Sequence, residues 1–143
     1  MPRFSICLCV KNEEETLPTL FKTLGNFMAR GGDLVIVDTG STDNTVRVAE
    51  DFGARVVVAG DSFLIPITWD ISSQVNGAFV VPPDDLVILT GMKLFDYGRA
   101  RNFIQEHARN DMILICGADS FFNTLEVCDL DREIELGANR FSI

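Results

Sequence analysis

Short runs of β-branched residues alternate along this chain with stretches in which apolar residues return every three or four positions. Leu34-Val-Ile-Val37 is the plainest run: an unbroken apolar stretch without polar alternation, as in a strand covered on both faces. Phe4, Ile6, Leu8 and Val10, with Ser5, Cys7 and Cys9 between them, predict an earlier strand over 3–10. Leu17, Leu20, Phe21, Leu24 and Phe27 or Met28 share one helical face and predict a helix over 16–28, with Pro18 tolerated in its first turn. Val46, Ala49 and Phe52 predict a second helix that stops at Gly53, and Arg55-Val-Val-Val58 a third strand. The order β-α-β-α-β with tight connections implies a parallel sheet with right-handed crossovers.

The pattern loosens over Gly60–Phe95. Phe63–Ile67, Ala78–Val81 and Leu86–Leu89 read as short strands, Pro66 marks an edge, Pro82-Pro-Asp-Asp85 reads as a turn, and Trp69 reads as packing beneath them, with a place beside a ligand as the alternative. A stretch of this kind is an inserted hairpin or a functional lid. Order returns at Asp96 with a helix to about Arg109. Its inward residues are Ala100, Phe103, Ile104 and Ala108, which leaves Arg99, Arg101 and Asn102 off the apolar face. Met112–Cys116 is a further sheet strand, 124–136 a helix, and 139–143 the start of another strand. The whole reads as one α/β domain over 1–143 with an insertion at 60–95. It stops without a closing element, as a fragment or a minimal domain would.

Charge narrows the functions. A net charge of −9 argues against a nucleic-acid surface, so phosphates must be met locally, by a few cations or a metal ion. No apolar run approaches the length of a membrane span, and Arg3 and Lys11 bracket too short an apolar stretch for a secretory signal. The four cysteines show no zinc-ribbon or disulfide-scaffold spacing and read as buried free thiols in a reducing, cytoplasmic setting. His107 reads as a helix-surface residue.

The polar chemistry gathers where strands end. Glu13 follows the first strand, Asp38 the second and Asp119 the fourth, and ligands of open α/β sheets bind outside those carboxyl ends. Glu14 and Glu15 suit the positive end of the following helix dipole. Asp38 either faces a base or ribose or caps the turn Thr39-Gly-Ser-Thr-Asp43; its local chemistry does not choose. Acids sharing one edge repel unless a cation lies between them, and Mg²⁺ or Mn²⁺ with phosphate oxygens would use one or two of them. With Arg101 beside the phosphates and Asp38 away from them, the set describes a nucleoside-diphosphate site. GxGxxG, GxxxxGK[ST] and nucleophile-elbow patterns are absent.

Ser5-Ile-Cys-Leu-Cys-Val-Lys-Asn-Glu-Glu14, Val35-Ile-Val-Asp-Thr-Gly-Ser-Thr-Asp-Asn-Thr45, Arg99-Ala-Arg-Asn-Phe103 and Asp111-Met-Ile-Leu-Ile-Cys-Gly-Ala-Asp119 together resemble the nucleotide-sugar half of family-two glycosyltransferases, an inverting group, over 3–59 and 96–120. The resemblance implies a GT-A fold: a Rossmann-like, mainly parallel sheet with flanking helices. It also implies a nucleoside diphosphate sugar, UDP-linked above all, with Mn²⁺ or Mg²⁺, and a glycan, lipid or protein acceptor. By the same analogy the nucleotide-sugar residues are Val10, Glu13, Asp38, Gly40 and Arg101, with Asp38 on the base. Asp119 would be the last acid of the metal-binding Asp-x-Asp motif, whose first acid is Gly117 here and which Ser120 follows where a further acid is common. Glu126, Asp129, Asp131 and Glu133 are explained as well by a helix surface as by catalysis, so no general base is assigned. The competing readings are a nucleotide-sugar-binding module without turnover, a purely structural α/β domain, and a nucleotidyltransferase, for which a glycine-rich basic phosphate loop is lacking.

Overall fold

The β-branched runs pair as a parallel sheet. The computed structural model describes residues 2–66 and 93–120, together with Leu130 and Arg132. In chain order its elements are β1 (Phe4–Val10), α1 (Leu17–Ala29), β2 (Asp33–Asp38), α2 (Thr45–Phe52), β3 (Arg55–Val58), β4 (Leu64–Pro66), β5 (Lys93–Phe95), α3 (Tyr97–His107) and β6 (Met112–Ile115). The main sheet has the order β3-β2-β1-β6, parallel throughout, with Cys7 opposite Val35 on one side and Ile115 on the other. β4 and β5 form a separate antiparallel ribbon in which Pro66 faces Lys93.

Strand alternation sends side chains to two cores. Ile6, Leu8 and Val10 of β1 with Leu34 and Ile36 of β2 pack against Leu17, Leu20, Phe21 and Leu24 of α1 and Ala49 of α2. Cys7, Val35 and Val37 point the other way and meet Phe63, Ala100 and Ile104, so α3 covers the opposite face. A sheet covered on both faces needs apolar residues at nearly every strand position, and all six positions of β2 are buried. Phe21 and Phe52 stack in parallel at 4.1 Å and lock α1 against α2. The inward positions of α2 are Thr45 and Ala49, with Val48 and Phe52 half-buried against the core; Val46, expected inward, does not join it. Thr45 takes that place because its hydroxyl finds partners inside, as described below.

At the amino edge of the sheet a polar cluster closes the α3 side. Asp33, 6% exposed, accepts from Ser5 Oγ (2.6 Å), Arg55 Nε (2.8 Å) and the Arg109 backbone N–H (2.9 Å). Arg55 also donates to the His107 carbonyl at 2.6 Å, and Asn110 donates to Ser5 Oγ. The cluster ties the end of α3 and the start of β6 to β1, β2 and β3. Burial raises the Asp33 carboxyl, but the hydrogen bonds from Ser5, Arg109 and Arg55 and the charge of Arg55 outweigh it and hold the group below its ordinary range. His107 donates from Nδ1 to the Phe103 carbonyl at 2.8 Å, a helix-surface role.

The expected strands at 78–81 and 86–89, the turn at 82–85, Trp69, and the expected strand at 139–143 lie outside the described residues. So does the expected helix at 124–136, apart from Leu130, packed on the first core, and Arg132. Among the described residues no helix is long and apolar enough to cross a membrane.

Candidate functional site

The strand order reverses direction between β1 and β6: from β1 the chain winds outward through β2 and β3, then returns to the other side as β6. The crevice outside the carboxyl ends at such a reversal is the ligand position of open α/β sheets. Two groups of residues meet there, one on each side of the end of β1.

The first group is made by two loops laced together. Val10 carbonyl accepts both the N–H (2.9 Å) and the hydroxyl (3.0 Å) of Thr39. Asn12, held at a left-handed φ of 54°, donates its N–H to Ser41 Oγ (2.9 Å) and accepts at Oδ1 from the Thr42 N–H (2.7 Å). Glu13 N–H donates to Thr45 Oγ1 at 2.7 Å; the fully buried Thr45 hydroxyl in turn donates to Asp43. Glu14 N–H reaches Asp43 Oδ2, and the Glu14 carboxylate accepts from the Asn44 N–H and side-chain amide, each at 2.9 Å. Glu14 therefore serves the open N–H groups of α2 across the loop, not the dipole of its own α1, whose first turn carries no acid. The Thr45 hydroxyl first, then the N–H groups of Thr45 and Glu14, hold the Asp43 carboxyl below its ordinary value against desolvation.

Asp38 lies inside this lacework, 2% exposed. Its Oδ2 accepts from the Gly40 N–H (3.2 Å) and the Ser41 N–H (3.1 Å), while Oδ1 carries only the longer 3.3 Å contact from Ser41. It thus caps its turn, with acceptor capacity left on Oδ1 among the described residues. Gly40 has φ 98°, a conformation that suits glycine, and a Cβ there would lie 3.5 Å from Asp61 Oδ1. Asp61, an acid after β3 that periodicity gave no reason to single out, pairs with Lys93 at 3.4 Å. Among the described residues the Glu13 carboxylate has no hydrogen-bond partner.

The second group lines a pocket of about 440 Å³ beneath α3. Cys9, Ile115, Cys116 and Gly117 come from the ends of β1 and β6; Tyr97 and Arg101 come from α3. Arg101 is exposed and, among the described residues, has no carboxylate partner. Burial pushes the Cys116 thiol up to about 12 and raises Cys9, so both walls are neutral. The described cysteines are free, as expected; Cys7 is buried and Cys9 and Cys116 are half-buried.

Gly117-Ala-Asp-Ser120 forms a turn in which Ser120 Oγ accepts the Gly117 N–H at 3.1 Å. Exposed Asp119 folds back so that its Oδ1 lies 2.7 Å from where a Gly117 Cβ would stand. Among the described residues no three Asp, Glu, His or Cys side chains gather. This donor set fits a divalent ion held by one carboxylate and completed by ligand phosphate oxygens and water, and does not fit an all-protein cage. Val10, Glu13, Asp38 and Gly40 thus form one cluster and Arg101 and Gly117 the other, with Asp119 two residues beyond Gly117 in the same turn. Val10 and its neighbour Cys9 join the two. Asn12, Thr45 and Tyr97 escaped the sequence reading. The first two act across the loops; for Tyr97 the available signal is its spacing of four residues before Arg101, one helical turn.

A doubly covered parallel sheet with a switch-point crevice defines a Rossmann-like domain of the GT-A type. Residues 5–62, from β1 to the turn after β3, match the family described as Glycosyl transferase family 2. Among solved structures, S. aureus TarS (residues 1–349) is similar at 18% identity and TM-score 0.63, over 94% of this chain and 32% of that one. Its UDP complex is similar to the same degree. Glucosyl-3-phosphoglycerate synthase from Mycobacterium tuberculosis in complex with UDP is similar at 21% identity and TM-score 0.51, over 84% of this chain and 35% of that one. A further structure of that synthase holds Mn²⁺, UDP and glucosyl-3-phosphoglycerate. The chain spans about a third of the length of these proteins. No curated protein matches it by sequence.

Proposed function

We propose that residues 1–143 are a single donor-binding domain of an inverting glycosyltransferase, with an insertion at 60–95, acting on a nucleoside diphosphate sugar. The observation that carries the reading is the meeting of the laced 10–14 and 38–45 loops with the Arg101 pocket at the switch point. UDP is the favoured nucleotide, because TarS and the synthase are both known as UDP complexes. Val10, Glu13, Asp38 and Gly40 border the nucleoside, and Asp38 offers Oδ1 to a base N–H. Arg101 binds the diphosphate from α3. Asp119 would hold Mn²⁺ or Mg²⁺, which when bound neutralises charge on the departing diphosphate.

In the transfer, an acceptor hydroxyl oxygen bonds to the anomeric carbon as the bond to the diphosphate oxygen breaks. The electron pair leaves on the diphosphate, and the hydroxyl proton passes to a general base. The acceptor is a glycan, lipid or protein, and the free thiols suit a cytoplasmic site of action. Gly117 in place of an acid favours a second reading, a nucleotide-sugar-binding module without turnover.

Calorimetry of UDP, GDP and UDP-sugars, with and without Mn²⁺, tests this. The wild-type chain should bind UDP more tightly with metal. Asp38→Asn keeps an oxygen for the turn but puts an N–H donor where the base needs an acceptor, and should weaken UDP binding by about tenfold or more. Asp119→Ala should abolish the metal effect. A wild-type chain that binds no nucleotide overturns both readings; slow hydrolysis or transfer of a bound donor selects the enzyme over the module.

A further inference from the structure

We propose that Tyr97 is a ligand-contacting residue, its ring forming a platform at the mouth of the α3 pocket for an uncharged ring that flanks the diphosphate. The inference rests on the nucleotide-sugar reading of that pocket. Tyr97 is 80% exposed, more than the other large apolar side chains left open to solvent among the described residues, yet it lines the pocket. Its ring is held from within. Tyr97 meets Phe95 edge-on at 4.7 Å, Phe95 meets Phe63 at 6.1 Å, and Phe63, 2% exposed, meets Phe103 at 5.3 Å. This ladder of edge-to-face contacts runs from the second core to the solvent and ends on a ring whose outer surface packs on no described aromatic.

An exposed aromatic anchored this way loses little conformational freedom when a partner arrives. Arg101 stands one turn further along α3, so both side chains rise from the same side of the helix and both line the pocket. The walls facing Tyr97 are Ile104, Ile115 and the thiols of Cys9 and Cys116, and none carries a charge. A cation with a ring beside it over neutral walls matches a phosphate next to an uncharged ring. A nucleotide sugar presents two such rings, the base and the hexose, one on either side of the diphosphate.

Titrating the full chain and its Tyr97→Ala and Tyr97→Phe variants with UDP and UDP-glucose in Mn²⁺ tests the platform. Tyr97→Ala should weaken binding about tenfold, while Tyr97→Phe, which keeps the ring face, stays within about twofold of the wild type. The thermal midpoint of each variant reports that the exposed substitution leaves the fold intact. Loss with both ligands assigns the ring to the base, and loss with UDP-glucose alone assigns it to the hexose; either supports the platform. Wild-type affinity of Tyr97→Ala for both ligands overturns it. If the wild-type chain binds neither ligand, the nucleotide-sugar reading itself falls.

Discussion

At Gly117 the absent side chain and the carboxylate two residues on occupy one space. Asp119 Oδ1 lies 2.7 Å from the position a Cβ would take, so an acid at 117 would displace the Asp119 carboxylate. The obstacle is the free end of a flexible side chain, so the adjustment costs little. Gly117→Asp should therefore restore a paired-carboxylate motif and raise the Mn²⁺ dependence of UDP binding by about tenfold. Calorimetry at fixed UDP over a metal series measures this, and an unchanged metal dependence would show that Asp119 does not serve a metal. Asp38 teaches a different lesson. Its place at the carboxyl end of β2 was legible from an acid following an apolar run. Its double use, as turn cap and as open acceptor, was not, because both roles need the same residue type at the same spot.

Between elements, the Asp33 cluster is a buried polar link joining β1, β2, β3 and the end of α3. Asp33→Asn should cost about 2–3 kcal/mol, since it removes a charged acceptor from Ser5, Arg55 and Arg109 while Arg55 keeps some solvent. Because the folded carboxyl sits below its ordinary value, its contribution is whole above the unfolded pKa near 3.8 and fades as pH falls through the lower folded one. The difference in urea midpoint between wild type and Asp33→Asn should hold steady above about pH 5 and shrink below about pH 4. A difference that grows with acid would contradict the assignment. Alternation and helical spacing located β1, β2, β3, β6 and the described helices α1, α2 and α3 to within a residue or two. They missed Asp33, because an acid at the head of an apolar run looks like loop. They also placed Val46 inward in α2. Thr45 won because its hydroxyl has buried partners in the other loop, which no periodicity within one helix reveals. The same lacing explains why the Val-Lys-Asn-Glu-Glu and Val-Asp-Thr-Gly-Ser-Thr-Asp stretches are informative as a pair: each satisfies the other's backbone.

For the molecule as a whole, the sheet's double cover decides how its thiols behave. Cys7, inside the sheet, is pushed up to about 12 by burial first and then by Asp33; Cys116 reaches about the same value through burial. At pH 8 both should resist iodoacetamide in the native chain over hours and react within minutes once unfolded in guanidinium, as peptide mass spectrometry would show. Rapid native labelling of Cys7 would mean that the α3 face opens readily. Composition announced such a core, while which strand residues faced α3 followed only from the register.

The ribbon of β4 and β5 carries a further consequence. Antiparallel pairing of Pro66 with Lys93 brings the departure and the return of the intervening segment to one point, beside the Asp61–Lys93 ion pair and the ring ladder under Tyr97. Closing a longer or shorter excursion at a fixed point changes the free energy only logarithmically with length. The β4–β5 ribbon is thus a clasp: a change in the number of residues between Pro66 and Lys93 should leave the register of the parallel sheet, set elsewhere, untouched, and the clasp lies next to the aromatic stack that ends at Tyr97.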